Sequence, residues 1–473
     1  MRVSHFWPGK KGAKDLNENK MGVQPVNRLL VSMSVPMMVS MLVQALYNVV
    51  DSIFVASLSE DALTAVSLAF PWQNLMIAVG VGTGVGVNAW LSRCLGEKDQ
   101  RSANSTAENG IFLAMASYLV FAVTGMLISR PFFTLQTSSA VIAEEGFQYM
   151  WIVSVFGIGL FLQTMNEKIL ASTGRTNLTM VSQLAGAAIN IVLDPIMIFG
   201  LFGFPALGVA GAAIATVTGQ IIGGLLGVWF NSRLNREIQI RFRGFRPDRA
   251  IIGHIYSVGL PSIILQSIGS IMTFSMNQIL ISFSTTAAAV LGVYFKLQSF
   301  VFMPIFGLNN GMVPIVAYNY GAAKPVRIMK TLKLAIAYAL SIMGVGLLLF
   351  QLLPGTFLDL FQASDNMKSI GIPALRIISL CFVPAGFGII CGSFFQAMGH
   401  GMIAMWVSIV RQLGALIPLA WLLSRTGQLN LVWLAFPLAE IVAVVITTFG
   451  LRRVIRTQIR PLYGKQPQDP GTA

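Results

Sequence analysis

The chain repeats its own landmarks at a fixed interval along its 473 residues. Pro36 returns as Pro261 and Gly82 returns as Gly307, and both intervals are 225 residues (261 − 36 and 307 − 82). The same interval separates three further pairs: Gly96 and Gly321, Phe132 and Phe357, and Gly174 and Gly399. A constant interval through long apolar segments indicates two structural repeats with almost no insertion between them. Duplicated halves of a membrane chain typically face each other across a central cavity.

Composition places these repeats in a membrane. Hydrophobic residues make up 55% of the chain and charged residues only 11%, whereas a soluble protein carries roughly 25% charged residues. The three cysteines, Cys94, Cys381 and Cys391, lie in or near apolar segments without the spacing of a metal site. We therefore expect them to be small packing residues.

Twelve apolar segments are long enough to cross a bilayer. Each should be an α-helix, because a backbone exposed to lipid must satisfy its own hydrogen bonds. The prediction is an all-α membrane protein with twelve transmembrane helices in two six-helix bundles, related by pseudo-two-fold symmetry. The segments lie at about 29–57, 62–90, 106–129, 141–166, 177–201 and 207–230, and at about 254–282, 287–316, 329–353, 369–393, 403–424 and 430–451.

Basic segments flank and separate the two predicted lobes. Most of the 32 lysines and arginines lie in these segments and in alternate loops. With twelve spans they all fall on one side, which the positive-inside rule identifies as the cytoplasm. The predicted divisions are an N-terminal segment (1–28), an N-lobe (29–230), a linker (231–250), a C-lobe (251–452) and a tail (453–473).

This topology predicts a multi-pass protein of the cell (inner) membrane with both termini in the cytoplasm. The net charge of +14 then follows from the topology and not from nucleic-acid binding. Attraction of the basic loops to anionic lipid of the inner leaflet is a plausible additional role.

Three acidic residues lie within the apolar segments: Asp51, Asp194 and Glu440. A charge in hydrocarbon costs roughly 2.5–3.5 kcal/mol on insertion scales, so each of them requires a reason. Asp51 lies near the outer end of the first helix, and Asp194 lies in the outer half of the fifth. We therefore expect both to lie in the outer half of the first repeat.

Polar neighbours accompany both aspartates of the first repeat. Tyr47 precedes Asp51 by four residues, and Asn190 precedes Asp194 by four, so each pair shares a helix face. Thr216 of the sixth helix reaches a similar depth. The hypothesis is a dry pocket whose oxygen atoms suit Na⁺, or whose paired carboxylates suit a proton. The alternative is that each acid is only a buried group tied to a local partner.

The second repeat does not contain an equivalent cluster. Met276 and Leu419 stand where the first repeat has its aspartates. The second repeat has its own possible charge network of Lys296, Arg411 and Glu440. Lys296 and Glu440 lie at similar depth, so they could form a buried ion pair that stabilises this bundle. Alternatively, they could form a gate or a second coupling group.

Residues that bend or pack helices form a further pattern. Pro36 and Pro261 occupy equivalent positions in the first and seventh helices, where a proline permits a bend. The glycine-rich run at 80–88 lies within an apolar span and lacks nucleotide-loop spacing, so it predicts a close helix-packing strip, with residues 306–314 as its counterpart. The sequence contains no HExxH, GxSxG or Walker pattern, so we do not expect an enzyme.

Together these residues resemble the MATE (multidrug and toxic compound extrusion) family, in its DinF-like branch or a related bacterial group, over about residues 25–455. The motifs that carry the resemblance are VPMMVSMLVQALYNVVDSIFVASL, SRCLGEKD, ASTGRT followed by GAAINIVLDPIMIFG, and FGLNNGMVPIVAYNYGA. The resemblance implies two bundles in a V shape, alternating access, and efflux of amphipathic cationic compounds in exchange for Na⁺ or H⁺.

The resemblance also implies roles for individual residues. The acid on helix one and the Asn-x-x-x-Asp pair on helix five resemble the branch with a cation site in the first lobe. The implied cation site comprises Tyr47, Asp51, Asn190, Asp194 and Thr216. The proposed substrate cavity comprises Gln44, Asn48, Gln163, Gln183 and Glu167, although Glu167 could equally pair with Lys168 or Arg175.

Two rival functions remain open from the sequence. A lipid-linked saccharide flippase of the same superfamily would need cations at mid-membrane depth, which the first repeat lacks and Lys296 and Arg411 could supply. A channel would need a ring of repeated polar residues, whereas the two halves here are unequal. We expect a monomer that contacts the lipid bilayer and a small-molecule drug or toxic metabolite. We expect no nucleic-acid partner and no cofactor other than the coupling ion, H⁺ or Na⁺.

Overall fold

A computed structural model describes residues 19–464. Residues 1–18 of the predicted N-terminal segment and residues 465–473 of the predicted tail lie outside these described residues. Within the described range the regular structure is entirely helical. Its first half contains α1 (Lys20–Val23), α2 (Val26–Ala56), α3 (Glu60–Gly96), α4 (Gln100–Gln136), α5 (Ala140–Val155), α6 (Ile158–Ser172), α7 (Thr176–Phe199), a 3₁₀ turn (Leu201–Gly203), α8 (Gly208–Trp229) and a π-helical turn (Phe230–Leu234).

The second half repeats this order of long helices after the linker. It contains α9 (Arg249–Ile281), α10 (Thr285–Gly321), α11 (Pro325–Leu352), α12 (Pro354–Asp359), α13 (Asp365–Ser379), α14 (Phe382–Ala397), α15 (Gly401–Ile409), a π-helical segment (Val410–Leu416), α16 (Ile417–Ser424), α17 (Leu429–Trp433), α18 (Ala435–Val454), a π-helical turn (Ile455–Ile459) and α19 (Arg460–Tyr463).

The helices provide the twelve spans that the sequence predicts. Ten helical segments of the described residues are long and apolar enough to cross a membrane, and two bent pairs bring the total to twelve. Helices α5 and α6 meet at 45°, and α13 and α14 meet at 47°. The predicted fold class is therefore confirmed, with one addition: the fourth and tenth spans are each broken in the middle.

These breaks do not occur at the prolines that the sequence singled out. Helices α2 and α9 continue through Pro36 and Pro261. The first break lies at Gly157, the N-cap residue of α6. The second lies just before Phe382, the first residue of α14. Because the two breaks occupy equivalent positions, they belong to the repeated unit itself.

Glycines allow the two lobes to approach each other at the backbone. A Cβ atom at Gly82 of α3 would lie 2.8 Å from the backbone nitrogen of Ile263 in α9, and one at Gly86 would overlap the carbonyl oxygen of Ile255. Any side chain at these positions would push α3 away from α9. The glycine-rich run is therefore a strip for close helix packing, and it joins the two lobes.

The counterpart strip on α10 packs in the same way against α2 of the first lobe. A Cβ atom at Gly307 would overlap Met38, and one at Gly311 would lie 2.7 Å from the Cα atom of Ser34. Gly307 follows Gly82 by 225 residues, so the two lobe-to-lobe crossings are related by the internal repeat. This arrangement is the pseudo-two-fold symmetry expected from the sequence.

The lobes are held together most closely at one end of the molecule. We call this end, which carries the loops 97–99, 173–175, 235–248 and 322–324, the basic end, and the opposite end the far end. Gly96 and Gly321 pack against the backbone of Tyr318 and Arg93 at the basic end. In the far half of the described residues, Asn74 and Ser270 form a hydrogen bond between lobes at 3.2 Å.

A short N-terminal segment, residues 19–24, bridges the lobes at the basic end. The Asn19 amide donates to the carbonyl oxygen of Thr173 in the first lobe at 3.1 Å. From the second lobe, the Asn319 amide donates to the carbonyl oxygen of Met21 at 3.0 Å. The Arg327 guanidinium donates to the carbonyl oxygen of Gln24 at 2.7 Å. The segment therefore contributes to closure of the basic end.

Candidate functional site

Two helices bring the buried aspartates of the first lobe together. Asp51 on α2 and Asp194 on α7 each lie five positions before the last residue of their helix, near the far end (56 − 51 and 199 − 194). Asp194 is fully buried, and its carboxyl group lies within hydrogen-bonding reach of the carboxyl group of Asp51. Asp51 Oδ1 is buried without a hydrogen-bond partner. The pair therefore leaves an acceptor oxygen open for a cation.

Asn190 links this pair to the neighbouring helix α8. Its Nδ2 lies 3.3 Å from Asp194 Oδ1 and 3.3 Å from Thr216 Oγ1. With its amide turned over, it donates to Asp194 Oδ2 at 3.3 Å and accepts from the Thr216 backbone nitrogen at 3.2 Å. In both orientations the amide donates to Asp194, which fixes the position of that carboxylate.

Two glycines explain why α7 and α8 lie close enough for this link. A Cβ atom at Gly186 of α7 would lie 3.0 Å from the carbonyl oxygen of Gly219 in α8, and one at Gly219 would lie 2.6 Å from the carbonyl oxygen of Gly186. Small residues of this kind allow spanning helices to pack at short distance. Asn190 lies one turn along α7 from this contact.

Tyrosines complete the polar surroundings of the aspartates. Tyr47 and Tyr149 both interact electrostatically with Asp51 and Asp194. The Tyr149 hydroxyl also donates to Gln73 Oε1 at 3.4 Å. Sequence analysis identified Tyr47 but missed Tyr149 and Gln73, because neither lies on a helix that carries a membrane-depth acid. The only feature of the sequence that could have indicated Tyr149 and Gln73 is that each is a polar residue within an apolar span.

Asp51 of the aspartate pair borders a cavity near the far end. The cavity has a volume of about 280 Å³ and lies between α2 and α3. Asp51 and Ser52 supply its first polar groups, and Ser67 adds a hydroxyl from α3. The remaining lining residues are Val55, Leu63, Val66 and Phe70. A small ion can therefore approach Asp51 through this space.

The chemistry of these groups suits a small hard cation or a proton. Carboxylate, amide and hydroxyl oxygens are ligands for cations such as Na⁺. Two touching carboxylates repel each other when both are ionised, so one bound cation or proton stabilises the pair. Among the described residues no three His, Cys, Asp or Glu side chains form a cluster suited to a metal ion.

A second polar cluster of the first lobe lies closer to the basic end. Gln163 donates to Glu167 Oε1 at 2.9 Å, and Gln183 donates to Glu167 Oε2 at 2.7 Å. Glu167 forms no ion pair with Lys168 or Arg175 among the described residues, although the charges of Glu167 and Lys168 do interact. Lys168 instead donates to Asn310 Oδ1 in the second lobe at 2.8 Å.

Three polar residues of α7, Gln183, Asn190 and Asp194, are therefore divided between two clusters. Gln183 binds Glu167, whereas Asn190 and Asp194 join Asp51 and Thr216. The other two predicted cavity residues, Gln44 and Asn48, are exposed on the outer part of α2. The assignment of these five residues to one substrate cavity stays a prediction.

The charge network of the second lobe differs from the expected pairing. Arg411 Nη1 binds Glu440 Oε1 at 3.0 Å, and the side chains are 26% and 11% exposed. Lys296 is exposed on α10 and is not the ion-pair partner of Glu440. Depth along the helices suggested Lys296 as the ion-pair partner of Glu440, but depth does not specify the direction in which a side chain points. Arg411 lies on the π-helical segment Val410–Leu416, which breaks the regular spacing of the eleventh span.

The fold and these buried charges are those of a multi-pass membrane protein with a polar site inside its first lobe. Comparison with known sequences then gives the family. The MatE family model matches residues 36–196 and 261–422, once in each repeat. Because the two matches together cover more than half of the chain, the protein belongs to the MatE family.

Individual relatives and solved structures cover nearly the whole chain. Multidrug export protein MepA of Staphylococcus haemolyticus is 26% identical over 424 residues, which cover 89% of this chain and 92% of MepA. A protein of Shewanella oneidensis named FAD transporter is 23% identical over 430 residues, 91% of this chain and 95% of that protein. A structure described as the outward-facing conformation of a multidrug resistance MATE family transporter of the MOP superfamily has a TM-score of 0.88 at 26% identity, covering 95% of this chain and 100% of that one.

Proposed function

We propose that this protein exports amphipathic, mostly cationic small molecules in exchange for H⁺ or Na⁺ by alternating access. The observation that carries the proposal is the direct contact of Asp51 and Asp194 beside a cavity. The name of the MepA relative, a multidrug export protein, supports a drug-like substrate. The exchange requires no cofactor apart from the coupling ion, and the protein acts as a monomer.

The positive-inside rule supports an orientation in which the basic end faces the cytoplasm. The aspartate pair then lies in the outer half of the cell membrane, within reach of external cations. Closure at the basic end corresponds to an outward-facing state. Both chain termini lie on the cytoplasmic side in this arrangement.

In the proposed mechanism the drug and the coupling ion compete for one negative site. An external cation neutralises Asp51 and Asp194 and favours release of the drug. Neutralisation also allows α2 to bend near Pro36, which shrinks the drug cavity. The cation drives this change only through its different affinities for the two states. Gln44, Asn48 and the cluster around Glu167 provide the polar contacts for the drug.

An anionic, phosphate-bearing substrate is a second candidate. Lys296 is exposed on α10 within the second lobe, and one relative is named FAD transporter. The lipid-linked saccharide flippase, the rival function from the sequence analysis, would use the same lysine side chain to bind its phosphate. Lys296→Gln separates the candidates, because it should abolish transport of an anionic substrate and leave transport of a cationic dye nearly unchanged.

The test is dye flux in proteoliposomes with a pH gradient or a Na⁺ gradient imposed separately. The gradient that drives uphill transport identifies the coupling ion. Asp51→Asn and Asp194→Asn should each abolish uphill transport. An asparagine carries no charge, so the drug and the coupling ion no longer compete for a pair of carboxylates. Asp61→Asn, an exposed acid at the start of α3, is the matched control. Full coupled transport in either site variant would refute the shared site.

A further inference from the structure

A second cavity lies at the basic end, outside the aspartate site. It has a volume of about 820 Å³ and forms where three segments of the chain meet. Lys20 comes from the N-terminal segment and Arg175 from the loop between α6 and α7. Arg233 lies in the π-helical turn after α8, and Arg236 lies in the linker that follows. Four cationic side chains therefore line one cavity. None of the functions proposed above uses it.

The charges of this cavity are not balanced by the described residues. None of the four cationic side chains is in an ion pair with a carboxylate of residues 19–464. The Lys20 side chain is exposed overall, but its ammonium end is crowded. Partial burial of the ammonium group removes some of its water and lowers the pKa of Lys20 below its usual value, and the positive charge of Arg175 lowers it further. A bound anion would relieve this repulsion.

The start of α7 adds hydrogen-bond donors at the same place. This 24-residue helix begins at Thr176, and Arg175 at its N-cap position makes no side-chain capping bond. Thr176 is 1% exposed and its hydroxyl group has no partner among the described residues, but Thr176 is not one of the residues that line the cavity. Asn177, the next residue, lines the cavity. The positive end of a helix with unused donors favours a bound anion.

The Lys20 side chain packs over Gly174, where a larger residue would leave no room for it. Gly174 has a φ of +82°, and a Cβ atom there would lie 2.9 Å from Lys20 Cε. The equivalent residue of the second repeat, Gly399, has the same φ but no atom within 4 Å of its Cβ position. The close contact between this glycine and a lysine side chain is therefore found at Gly174 and not at Gly399.

We propose that this cavity binds a phosphate group through Lys20, Arg175, Arg233 and Arg236. Arginine favours phosphate because its planar group donates two parallel hydrogen bonds. Exposed apolar residues of the adjoining helices, Val181, Leu225 and Trp229, provide a surface for acyl chains. This surface favours the headgroup of an anionic lipid over a free phosphate compound.

Binding has a structural consequence, because Lys20 belongs to the segment that bridges the lobes. The carbonyl oxygens of Met21 and Gly22 accept hydrogen bonds from the second lobe. A phosphate held by Lys20 and the first-lobe arginines would tie this segment to the first lobe more firmly. The bound anion therefore stabilises the state closed at the basic end. The site does not depend on the proposed ion exchange.

The test is a binding titration of the purified full-length chain in detergent. The probes are dioctanoyl phosphatidylglycerol, dioctanoyl phosphatidylcholine and sn-glycerol 3-phosphate. We expect phosphatidylglycerol to bind more tightly than phosphatidylcholine. The double variant Arg175→Gln/Arg236→Gln should bind it about 30-fold more weakly, because each arginine contributes about 1 kcal/mol to the attraction of an anionic headgroup. Arg243→Gln/Arg246→Gln, in the same linker but outside the cavity, should bind like the parent chain.

Each outcome of this titration is decisive. Equal affinity of the parent chain and the cavity variant, or equal affinity for the two lipids, would overturn the proposal. Arginine-dependent binding of glycerol phosphate as tight as that of the lipid would support the phosphate site and assign it to a soluble ligand. The single variant Lys20→Gln, which leaves both lobes unchanged, should also weaken binding. It provides a second reading if the double variant fails to fold.

Discussion

The site in the first lobe depends on one contact between two acidic residues. Asp51 and Asp194 come from helices far apart in sequence, yet their carboxyl groups touch, with Asp194 fully buried and Asp51 at the edge of the cavity. Since two buried negative charges repel strongly at low dielectric, a cation or proton is needed to neutralise one of them. Asn190 holds Asp194 in place and connects it to Thr216.

Replacing Asn190 with alanine tests this positioning. The variant removes a hydrogen bond to a charged group, so we expect the cation concentration for half-maximal transport to rise about tenfold. The measurement is dye efflux from proteoliposomes as a function of external Na⁺ or pH. Asn366→Ala, which removes a 3.4 Å contact within the second lobe, should leave this concentration unchanged. An unchanged value in Asn190→Ala would exclude a role for the amide in cation binding.

Depth and spacing were sufficient to predict much of this site. Counting residues from the helix ends placed Asp51, Asp194 and Thr216 at one level, and the four-residue spacing added Asn190. The same counting failed for Lys296, because the direction of a side chain around its helix depends on how the helices pack. Tyr149 was not predicted, since an isolated uncharged polar residue in an apolar span carries little sequence signal.

At the scale of helices, the two glycine strips determine how the lobes meet. Helix α3 crosses α9, and α10 crosses α2, at points where the backbones are in contact. The close approach strengthens packing in a membrane, where van der Waals contact takes the place of hydrophobic association. The proposed alternating access requires these crossings to separate, so we expect their stability to be moderate.

A side chain added at one crossing should weaken closure of the basic end. Gly86→Val places atoms against the carbonyl oxygen of Ile255, and overpacking of this kind costs about 1–3 kcal/mol. We expect a lower thermal midpoint in detergent and fewer disulfide cross-links between cysteines introduced at the basic end of each lobe. Gly292→Val on α10, where no atom lies within 4 Å of the Cβ position, is the control. Equal behaviour of the two variants would contradict the packing role.

The long helices were predictable because uniform apolar runs must be helical in a bilayer. The glycine strips were also recognised as packing surfaces, but their partner helices were not, since a strip does not identify what it touches. The breaks between α5 and α6 and between α13 and α14 were not predicted. They do not occur at Pro36 or Pro261: the first lies at Gly157, and the second lies beside Pro384 in the first turn of α14.

At the scale of the molecule, two related lobes are closed at the basic end, and the aspartate pair lies toward the far end. The N-terminal segment 19–24 strengthens this closure through contacts to both lobes. The chain repeat predicted two lobes and their symmetry. The bridging segment had no such signal, because its contacts are made mainly by backbone carbonyl oxygens, which every residue carries.

Weakening the bridge should shift the molecule toward opening at the basic end. Asn319→Ala removes the hydrogen bond to Met21 and is expected to raise the open population about fivefold, from about 1 kcal/mol of lost stabilisation. Distances between spin labels on the loops 97–99 and 322–324 measure this population. Ser341→Ala, which affects a bond within α11 only, should not change it. A distance distribution identical to that of the parent chain would show that the bridge does not control closure.

The central claim is that the drug and the coupling ion compete for Asp51 and Asp194. The most direct measurement is calorimetric titration of a cationic dye into the purified protein, at several pH values and Na⁺ concentrations and in buffers of different ionisation enthalpy. We predict that dye binding releases about one H⁺ or Na⁺ from the parent chain and none from Asp51→Asn. Dye binding that is independent of both ions, or ion release that persists in Asp51→Asn, would contradict the account.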